Sequence, residues 1–454
     1  MQAIRPLLPL LFAAAGCQTY TPAPVDLLLH AHEFAARLPD AAALQAFAER
    51  LGPPGPEATG FVVEDGLSLA EARYVALLYN PALGVLRQQA AVAAATAEFA
   101  GRWQDAQLGG SVTRVLENLA AHPWIVAGDL TLTLPITGLP GLEQALAGSQ
   151  HAAALLDVRR AEAEVLDQLD AAWVRFSAAT TRVDLLGALL QRLDELDRIA
   201  SNLADARTLN RLEARVFTLA KVQHQIELAA AEGAARAAEL RLRELLGMPP
   251  AAPLRLVALL VVPDRAPAAA AAALPAHCRR VDRARLNHDV AERGLQLAIR
   301  RQWPELSLQP GWQEEDAEPR LGLGFSLPLP LWNRNAQEIA ERRAARAAAA
   351  AGLQEQLELA SHELAQADAA ALAVVAQRRL LDERLLPLAE QQLADAHHLA
   401  ELGQLDVLLI LDAVTRAHTA QLAVIAAAEA EAAAVVARNA LFWPSLAASV
   451  SEPE

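Results

Sequence analysis

The chain has 454 residues, a formal net charge of −15 and a composition that is 54% hydrophobic but only 4% aromatic. So much apolar content excludes an intrinsically disordered protein, and the acidic balance argues against a nucleic-acid partner. The two cysteines, Cys17 and Cys278, are too few for a disulfide-rich scaffold or a four-cysteine zinc site.

The N-terminus has the features of a secretion signal. Arg5 precedes an uncharged, mostly apolar segment over residues 6–15, which is too short to span a bilayer as a helix. That segment leads into Ala-Ala-Gly-Cys, ending at Cys17, which resembles the processing site of bacterial lipoproteins. The resemblance implies a signal peptide at 1–16, acylation of Cys17 and, because Gln18 follows, sorting to the outer membrane. The alternative is an ordinary signal peptide with an incidental cysteine.

Composition divides the rest of the chain. Residues 17–66 are rich in proline, glycine and alanine, which predicts a linker that leads to a folded body beginning near Leu67. The apolar run after Gln421 carries Glu429 and Glu431, so we predict no membrane-spanning helix beyond the signal. We divide the body into a first repeat at 67–250, a linker at 251–275, a second repeat at 276–443 and a tail at 444–454.

The body contains an internal duplication. Trp103 matches Trp303 and Leu130 matches Leu323, at offsets of 200 and 193 residues and in the same order along the chain. Each half then predicts one helix, two strands, a long helix, a turn and a return helix.

Alternating apolar and small or polar residues predict four strands, near residues 107–116, 128–135, 305–312 and 320–328. The candidate lipid-facing residues of their apolar face are Leu130, Leu132, Leu134, Leu321, Leu323, Phe325 and Leu327. Four strands cannot close a barrel, and open strand edges are not tolerated in lipid, so membrane insertion would require several chains to pool their strands. The alternative is two small soluble hairpins packed on helices.

Two long helical hairpins are predicted over residues 142–246 and 337–441. The first begins with a proline-free stretch, Leu142 to Leu203, that would be roughly 93 Å long as a helix. The corresponding helix of the second hairpin carries Pro387, which predicts a kink.

Shorter helices are predicted over residues 67–102 and 209–246. Their summed length approximates that of the long helix, so we expect them to stack end to end along it. Apolar residues spaced by four and three predict a coiled-coil seam. It is formed by Leu186, Leu190, Leu193, Leu196, Ile199 and Leu203 of the long helix and by Leu212, Val216, Leu219, Val222 and Ile226 of the return helix.

The end of the fourth strand carries a more specific motif. Residues 327–335 read Leu-Pro-Leu-Pro-Leu-Trp-Asn-Arg-Asn, with Pro328, Asn333, Arg334 and Asn335 in a strand-to-helix turn. Together with the duplicated plan, this motif resembles the TolC-like outer-membrane efflux factor family, and in particular its heavy-metal-efflux branch, the CzcC/CusC-like factors.

The resemblance implies a mainly α fold with a small β part, in which three copies form a twelve-strand outer-membrane β-barrel continued by a periplasmic α-helical barrel. It implies the channel of a tripartite efflux or secretion system, a gated passive exit for metal cations or small toxic molecules. The implied partners are further copies of the chain (a homotrimer), a periplasmic adaptor, an inner-membrane pump of the RND type and outer-membrane lipid. A periplasmic adaptor lipoprotein and a structural coiled-coil protein of the envelope are the alternatives.

The turns of the two helical hairpins are the candidate periplasmic tips and gate. Asp205 and Arg207 lie in the first turn, and Glu401, Gly403 and Asp406 lie in the second. In a trimer each acidic residue would be repeated around the pore, and rings of like charge select cations and repel one another. The alternative is that these are solvated turn residues.

No metal, cofactor or catalytic site is predicted. His397 and His398 are adjacent and point in different directions on a helix, and the sequence has no two histidines four residues apart with an acid between them. The sequence also lacks a glycine-rich phosphate loop and a Gly-x-Ser-x-Gly motif, so we expect no enzyme. Cys278 is interpreted as a packed thiol.

The gate hypothesis predicts an effect at Asp406. Salt bridges between neighbouring tips would hold the pore shut, so we expect Asp406→Ala, which removes one such partner, to raise the single-channel conductance in a planar bilayer. An unchanged closed-state conductance would argue against Asp406 as a gate residue.

Overall fold

The structure, a computed structural model, describes residues 20–51, 66–116, 124–263, 270–315, 318–402 and 407–443. Cys17, Gly403 and Asp406 therefore lie outside the described residues, and Glu401 is described in its backbone alone. Within these ranges the fold is mainly α with one four-stranded antiparallel sheet, as predicted.

Two short helices, α1 (Leu27–Ala35) and α2 (Ala41–Leu51), occupy much of the segment predicted as a linker. Asp26 caps α1, since its carboxylate accepts a hydrogen bond from the N–H of Leu28 at 2.9 Å. Leu44 of α2 is fully buried in the core of the first repeat. The linker prediction was therefore wrong for this part, because the alanines that suggested a linker are also the strongest helix formers.

The first repeat consists of α3 (Leu69–Tyr79), α4 (Pro81–Phe99), β1 (Gln107–Arg114), β2 (Trp124–Leu134), α5 (Leu139–Asp205) and α6 (Arg211–Leu245). The single helix predicted over 67–102 is thus two helices. Asn80 separates them because a residue before proline disfavours the helical conformation. Its side-chain oxygen accepts a hydrogen bond from the N–H of Ala82 at 3.0 Å and so caps α4.

The second repeat has the same order, with α7 (Ala270–His277), α8 (Arg279–Arg300), β3 (Leu306–Glu315), β4 (Glu318–Ser326), α9 (Ala336–Leu380), α10 (Leu386–Glu401) and α11 (Val407–Asn439). A π-helical turn, Leu381–Leu385, separates α9 from α10. Pro387 accounts for it, because proline has no N–H to donate and its ring crowds the preceding turn. The predicted kink takes this form.

The sheet and the helices share one side-by-side order. The strands lie in the order β1–β2–β3–β4. The helices next to the sheet contact one another in the order α4, α5, α8, α9. The helices farther from the sheet contact one another in the order α6, α5, α11 and then α9 with α10. Hence α5 runs beside both α4 and α6, which stack end to end along it as expected from their lengths.

The stacked helices of the first repeat meet at a buried junction. Gly247 follows α6 with a φ of 67°, and the amide of Asn80 donates to the Leu245 carbonyl at 2.9 Å. The surrounding core joins α3, α4, α5 and α6 through Val75, Leu83, Leu169, Trp173, Leu242 and Leu246.

A second junction joins α8 to the end of the described chain. Nε of Arg279 donates to the Phe442 carbonyl at 2.6 Å, and its guanidinium pairs with Asp167 of α5. Nε1 of Trp443 donates to Asp282 at 2.7 Å. Cys278 precedes α8 as a fully buried free thiol packed with Phe442, which agrees with its interpretation as a packed thiol.

Within the described residues one span, Leu408–Asn439 of α11, is long and apolar enough to cross a membrane by length and composition, with a mean hydropathy of 1.6. This differs from the sequence prediction, which rejected the run because of its glutamates. In the structure the helix lies against α5, α9 and α10, and Arg438 within it is buried and pairs with Asp368 at 2.6 Å.

The junction at Gly247 gives a stability prediction. A Cβ added to Gly247 would lie 2.2 Å from the carbonyl oxygen of Tyr79, and its φ is one that side chains disfavour by about 1–2 kcal/mol. We expect Gly247→Ala to lower the thermal unfolding temperature in detergent by several degrees, measured by circular dichroism.

The matched control is Gly233→Ala in the middle of α6, where a Cβ would meet no atom within 4 Å. Because alanine favours a helix over glycine by roughly 1 kcal/mol, this variant should keep or raise the unfolding temperature. Equal unfolding temperatures for the two variants would contradict the role of Gly247.

Candidate functional site

The sheet has one face that is mostly apolar across all four strands, with Arg114 and Glu314 on it near the ends of β1 and β3. Residues paired across antiparallel strands share a face, and the pairs include Leu108 with Leu130, Leu132 with Leu308, and Leu308 with Phe325. The same face carries Val112, Trp124, Val126, Leu134, Leu306, Trp312, Leu321 and Leu323.

The opposite face is polar and lined with glycine. Asp129 lies against Gly109, and a Cβ added to Gly109 would lie 2.5 Å from a carboxylate oxygen of Asp129. Asp129 also contacts Gly311. Gln309 borders Gly324 in the same way. Glycine on this face therefore leaves room for polar side chains, which makes the sheet amphipathic.

The candidate lipid-facing residues all belong to the apolar side. In β4, Leu321, Leu323 and Phe325 are 89%, 72% and 76% exposed. Leu327, one residue beyond the strand, is exposed as well. In β2, Leu130 is exposed while Leu132 and Leu134 are half-buried. A single chain thus presents a broad apolar surface with no cover on β4.

The turn from β4 into α9 depends on two residues in the left-handed region, Arg334 and Asn335, with φ of 47° and 54°. The amide of Asn335 donates to the Ala298 carbonyl at 3.0 Å, which ties the start of α9 to the end of α8. The extended segment that contains Pro328 leads into this turn, and the N–H of Ala336 donates to the Asn333 carbonyl at 2.8 Å. In the first repeat Gly138, with φ of 75°, occupies the position before α5.

The first tip is the turn between α5 and α6. Asp205 ends α5, and Arg207 has a φ of 61°, a backbone position at which glycine is favoured. Both side chains are exposed, and the N–H of Thr208 donates to the Leu203 carbonyl at 2.9 Å to close the turn. At the second tip the structure places only Glu401, at the end of α10.

A buried cluster above the tips joins the two hairpins of the chain. It combines side chains from α5, α6, α10 and α11, among them Leu193, Phe217, Ala396, Ile410 and Val414. The four helices are therefore packed together near the tips rather than being two independent hairpins.

Lys221, the only lysine of the sequence, has a role that local pattern does not predict. Nζ of Lys221 in α6 lies 2.5 Å from Asp194 and 3.6 Å from Asp197, both in α5. The hydrogen bond between them raises the pKa of Lys221 and lowers the pKa of Asp194. A single lysine in an arginine-rich chain is a feature that the sequence does show. The sequence does not show the partners of Lys221, because they lie on another helix.

A contact between histidines from different hairpins is likewise not predicted by the sequence. His224 of α6 and His418 of α11 are 9% and 5% exposed, and their ring centroids lie 5.9 Å apart in an edge-to-face arrangement. No spacing rule connects residues in separate repeats, so the sequence held no signal for this pair. Among the described residues no group of three histidine, cysteine or acidic side chains could hold a metal ion.

The predicted seam of α6 is wrong as a contact within the chain. Over the same stretch of α6 the buried residues are Ala214, Phe217 and His224. The predicted seam residues are instead exposed along the outer side of α6: Leu212, Val216, Leu219, Val222 and Ile226.

The opposite edge of the helical layer is also apolar. Along α9, the π-helical turn and α10, the exposed side chains include Leu372, Val375, Leu380, Leu385 and Leu388. The layer of helices therefore has two exposed apolar edges, one on α6 and one on α9 with α10.

No protein-family model matches the sequence, and no curated protein sequence matches it. Solved structures match the fold. The outer membrane protein VceC from Vibrio cholerae superposes with a TM-score of 0.68 at 19% identity, covering 82% of this chain and 95% of that one.

Two further channel structures match to a similar degree. CusC, described in terms of transmembrane channel formation, has a TM-score of 0.69 at 14% identity, covering 86% of this chain and 97% of that chain. The CmeC outer membrane channel of Campylobacter jejuni has a TM-score of 0.69 at 15% identity, covering 83% and 86%. The chain therefore has the fold of these outer-membrane channel structures.

Proposed function

We propose that the chain is the outer-membrane channel of a tripartite efflux or secretion system and that it works as a homotrimer. The proposal depends on the open four-element layer, whose sheet is mostly apolar on one face and, within the described part of the chain, unpaired at both edges. Three copies would pool twelve strands into a barrel and continue it with helices into the periplasm. The fold shared with outer-membrane channel structures supports this arrangement.

The strand edges support association in a ring. Inside a bilayer each unpaired backbone N–H and C=O group costs several kcal/mol, so β1 and β4 need partners. Pairing β4 of one copy with β1 of the next satisfies both edges and leaves none open. The apolar face would then form the lipid-facing surface, and the polar face with Asp129 and Gln309 would line the pore.

The helical edges support the same ring. The exposed leucines of α6 and those of α9 with α10 lie on opposite edges of the layer, so contact between copies is head-to-tail. A head-to-tail interface makes a closed ring when the rotation between copies closes. The same neighbouring copy would therefore cover the exposed edge of the sheet and the exposed edge of the helices.

We further propose a passive role in which the tips form the gate. Asp205, Arg207, Glu401, Gly403 and Asp406 would surround the periplasmic opening, where an adaptor and an inner-membrane pump of the RND type dock and supply the energy. The chain itself performs no catalysis in this proposal. Acylated Cys17 would anchor it in the outer membrane, and its cargo would be metal cations or small toxic molecules, as the 327–335 motif suggests.

The lipid-facing assignment is tested with Leu323→Arg. An arginine at the lipid face costs about 2–4 kcal/mol near the bilayer midplane, so the variant should lose most of its heat-modifiable oligomer and its recovery in outer-membrane fractions. The measurement is gel migration with and without boiling, after fractionation of the cells.

The matched control is Ser326→Arg, three residues along β4 on the polar face. Facing the pore, this arginine stays in water, so oligomer and fractionation should match the unaltered protein. If both variants insert equally well, or if the purified lipidated protein is a water-soluble monomer without detergent, the channel proposal fails.

A further inference from the structure

The contact between His224 and His418 is unusual among the described contacts near the tips because it is buried, polar and incompletely hydrogen-bonded. Nδ1 of His224 lies 2.9 Å from the carboxylate of Glu227, one turn along α6. Nε2 of His418 is buried and has no hydrogen-bond partner in the described structure. Protonation of His418 would add a charge where the surroundings offer Nε2 no acceptor.

The neighbouring charges do not compensate for such a proton. The charged groups on the surrounding helices pair elsewhere or are exposed: Arg182 with Glu429, Lys221 with Asp194, Arg416 with Asp412, and Asp184, Arg192 and Glu390 toward solvent. Of the groups that act on the imidazole of His418, His224 opposes its protonation and Glu227 favours it.

We propose that His224 and His418 form an acid-sensitive joint between the two helical hairpins, which holds them together at neutral pH and releases them in acid so that the tip widens. The joint connects α6 of the first repeat to α11 of the second, about three to four turns of helix from the tip-side start of α6 at Arg211 and of α11 at Val407. The widening rests on the proposed channel function, whereas the release of the hairpins does not.

The direction of the pH effect follows from burial. Burial, and then the neighbouring His224, lower the pKa of His418 below its ordinary value. The unfolded or separated state therefore binds more protons than the packed state as the pH falls. The stability that the joint contributes is complete above the ordinary histidine pKa of about 6.5 and decreases as the pH drops below it.

Hydrogen exchange of the full-length protein in detergent tests the release. His418→Phe keeps a ring of similar size that cannot titrate, and the readout is a peptide over residues 219–229 of α6, whose sequence the substitution leaves unchanged. At pH 7.5 the ratio of the two exchange rates gives the reference, which includes the free energy that the unpartnered Nε2 costs the unaltered protein. At pH 5.0 exchange of the unaltered protein relative to the variant should rise above that reference by up to about thirtyfold, which is the ceiling for a pH one and a half units below an ordinary histidine pKa.

The control is His362→Phe, which removes an exposed histidine of α9 and should behave like the unaltered protein. His418→Gln is carried in parallel, so that a neutral side chain is available if the phenylalanine variant yields no heat-modifiable oligomer. If exchange of the α6 peptide differs between the unaltered protein and the folded His418 variant by the same ratio at both pH values, the joint is overturned.

Planar-bilayer recordings of the same proteins test the widening separately. The unaltered protein should conduct more at pH 5.0 than at pH 7.5, and His418→Phe should lose that increase. Acid-dependent exchange with a pH-independent channel would overturn the widening, and a complete lack of conductance at both pH values would contradict the channel function while leaving the exchange result to decide on the joint.

Discussion

An open strand edge carries unpaired backbone N–H and C=O groups, and such an edge is not stable inside a bilayer. This constraint governs the proposed channel, because among the described residues β1 and β4 have no strand on their outer sides. In that proposal the apolar face of the sheet contacts lipid, whereas its edges would prevent one copy from entering lipid alone. Association of copies would meet both requirements, since each β4 would pair with the next β1 and the apolar faces would join into one outer surface.

The helices meet the same requirement through side chains. A helix pairs its backbone groups internally along its length, so its need for a partner comes from exposed apolar side chains. Such side chains lie on α6 on one side of the layer and on α9 with α10 on the other. Because α5 runs unbroken from the sheet to the first tip, the neighbour that satisfies the sheet is the one that satisfies the helices. The junction at Gly247 matters for this reason, since it aligns the two stacked helices along α5.

The sequence predicts the parts of this fold that depend on local pattern. Alternation places all the candidate lipid-facing residues on one side, and the absence of proline predicts α5. It does not predict the partner that a stripe contacts: the large residues from Leu212 to Ile226 look like a seam, yet Ala214 and Phe217 are buried instead. Periodicity identifies a row of apolar residues along one side of a helix. Which row is buried depends on how closely the neighbouring helices approach, and small residues such as alanine allow a closer approach. The apolar pattern runs without interruption past Asn80, yet the helix breaks there. It breaks because the residue before a proline disfavours the helical conformation.

The contacts that join the two repeats lie beyond local pattern: they include the ion pairs of Arg279 with Asp167 and Arg182 with Glu429, and the contact between His224 and His418. Lys221 and Asp194 join α5 to α6, and their mutual hydrogen bond moves both pKa values away from neutrality, so this pair keeps its charges in mild acid. The contact of His224 with His418 joins hairpin to hairpin, and histidine is the side chain that titrates in mild acid. In the proposed joint a falling pH therefore acts on this one contact between the hairpins, while the pair of Lys221 and Asp194 within the first hairpin keeps its charges.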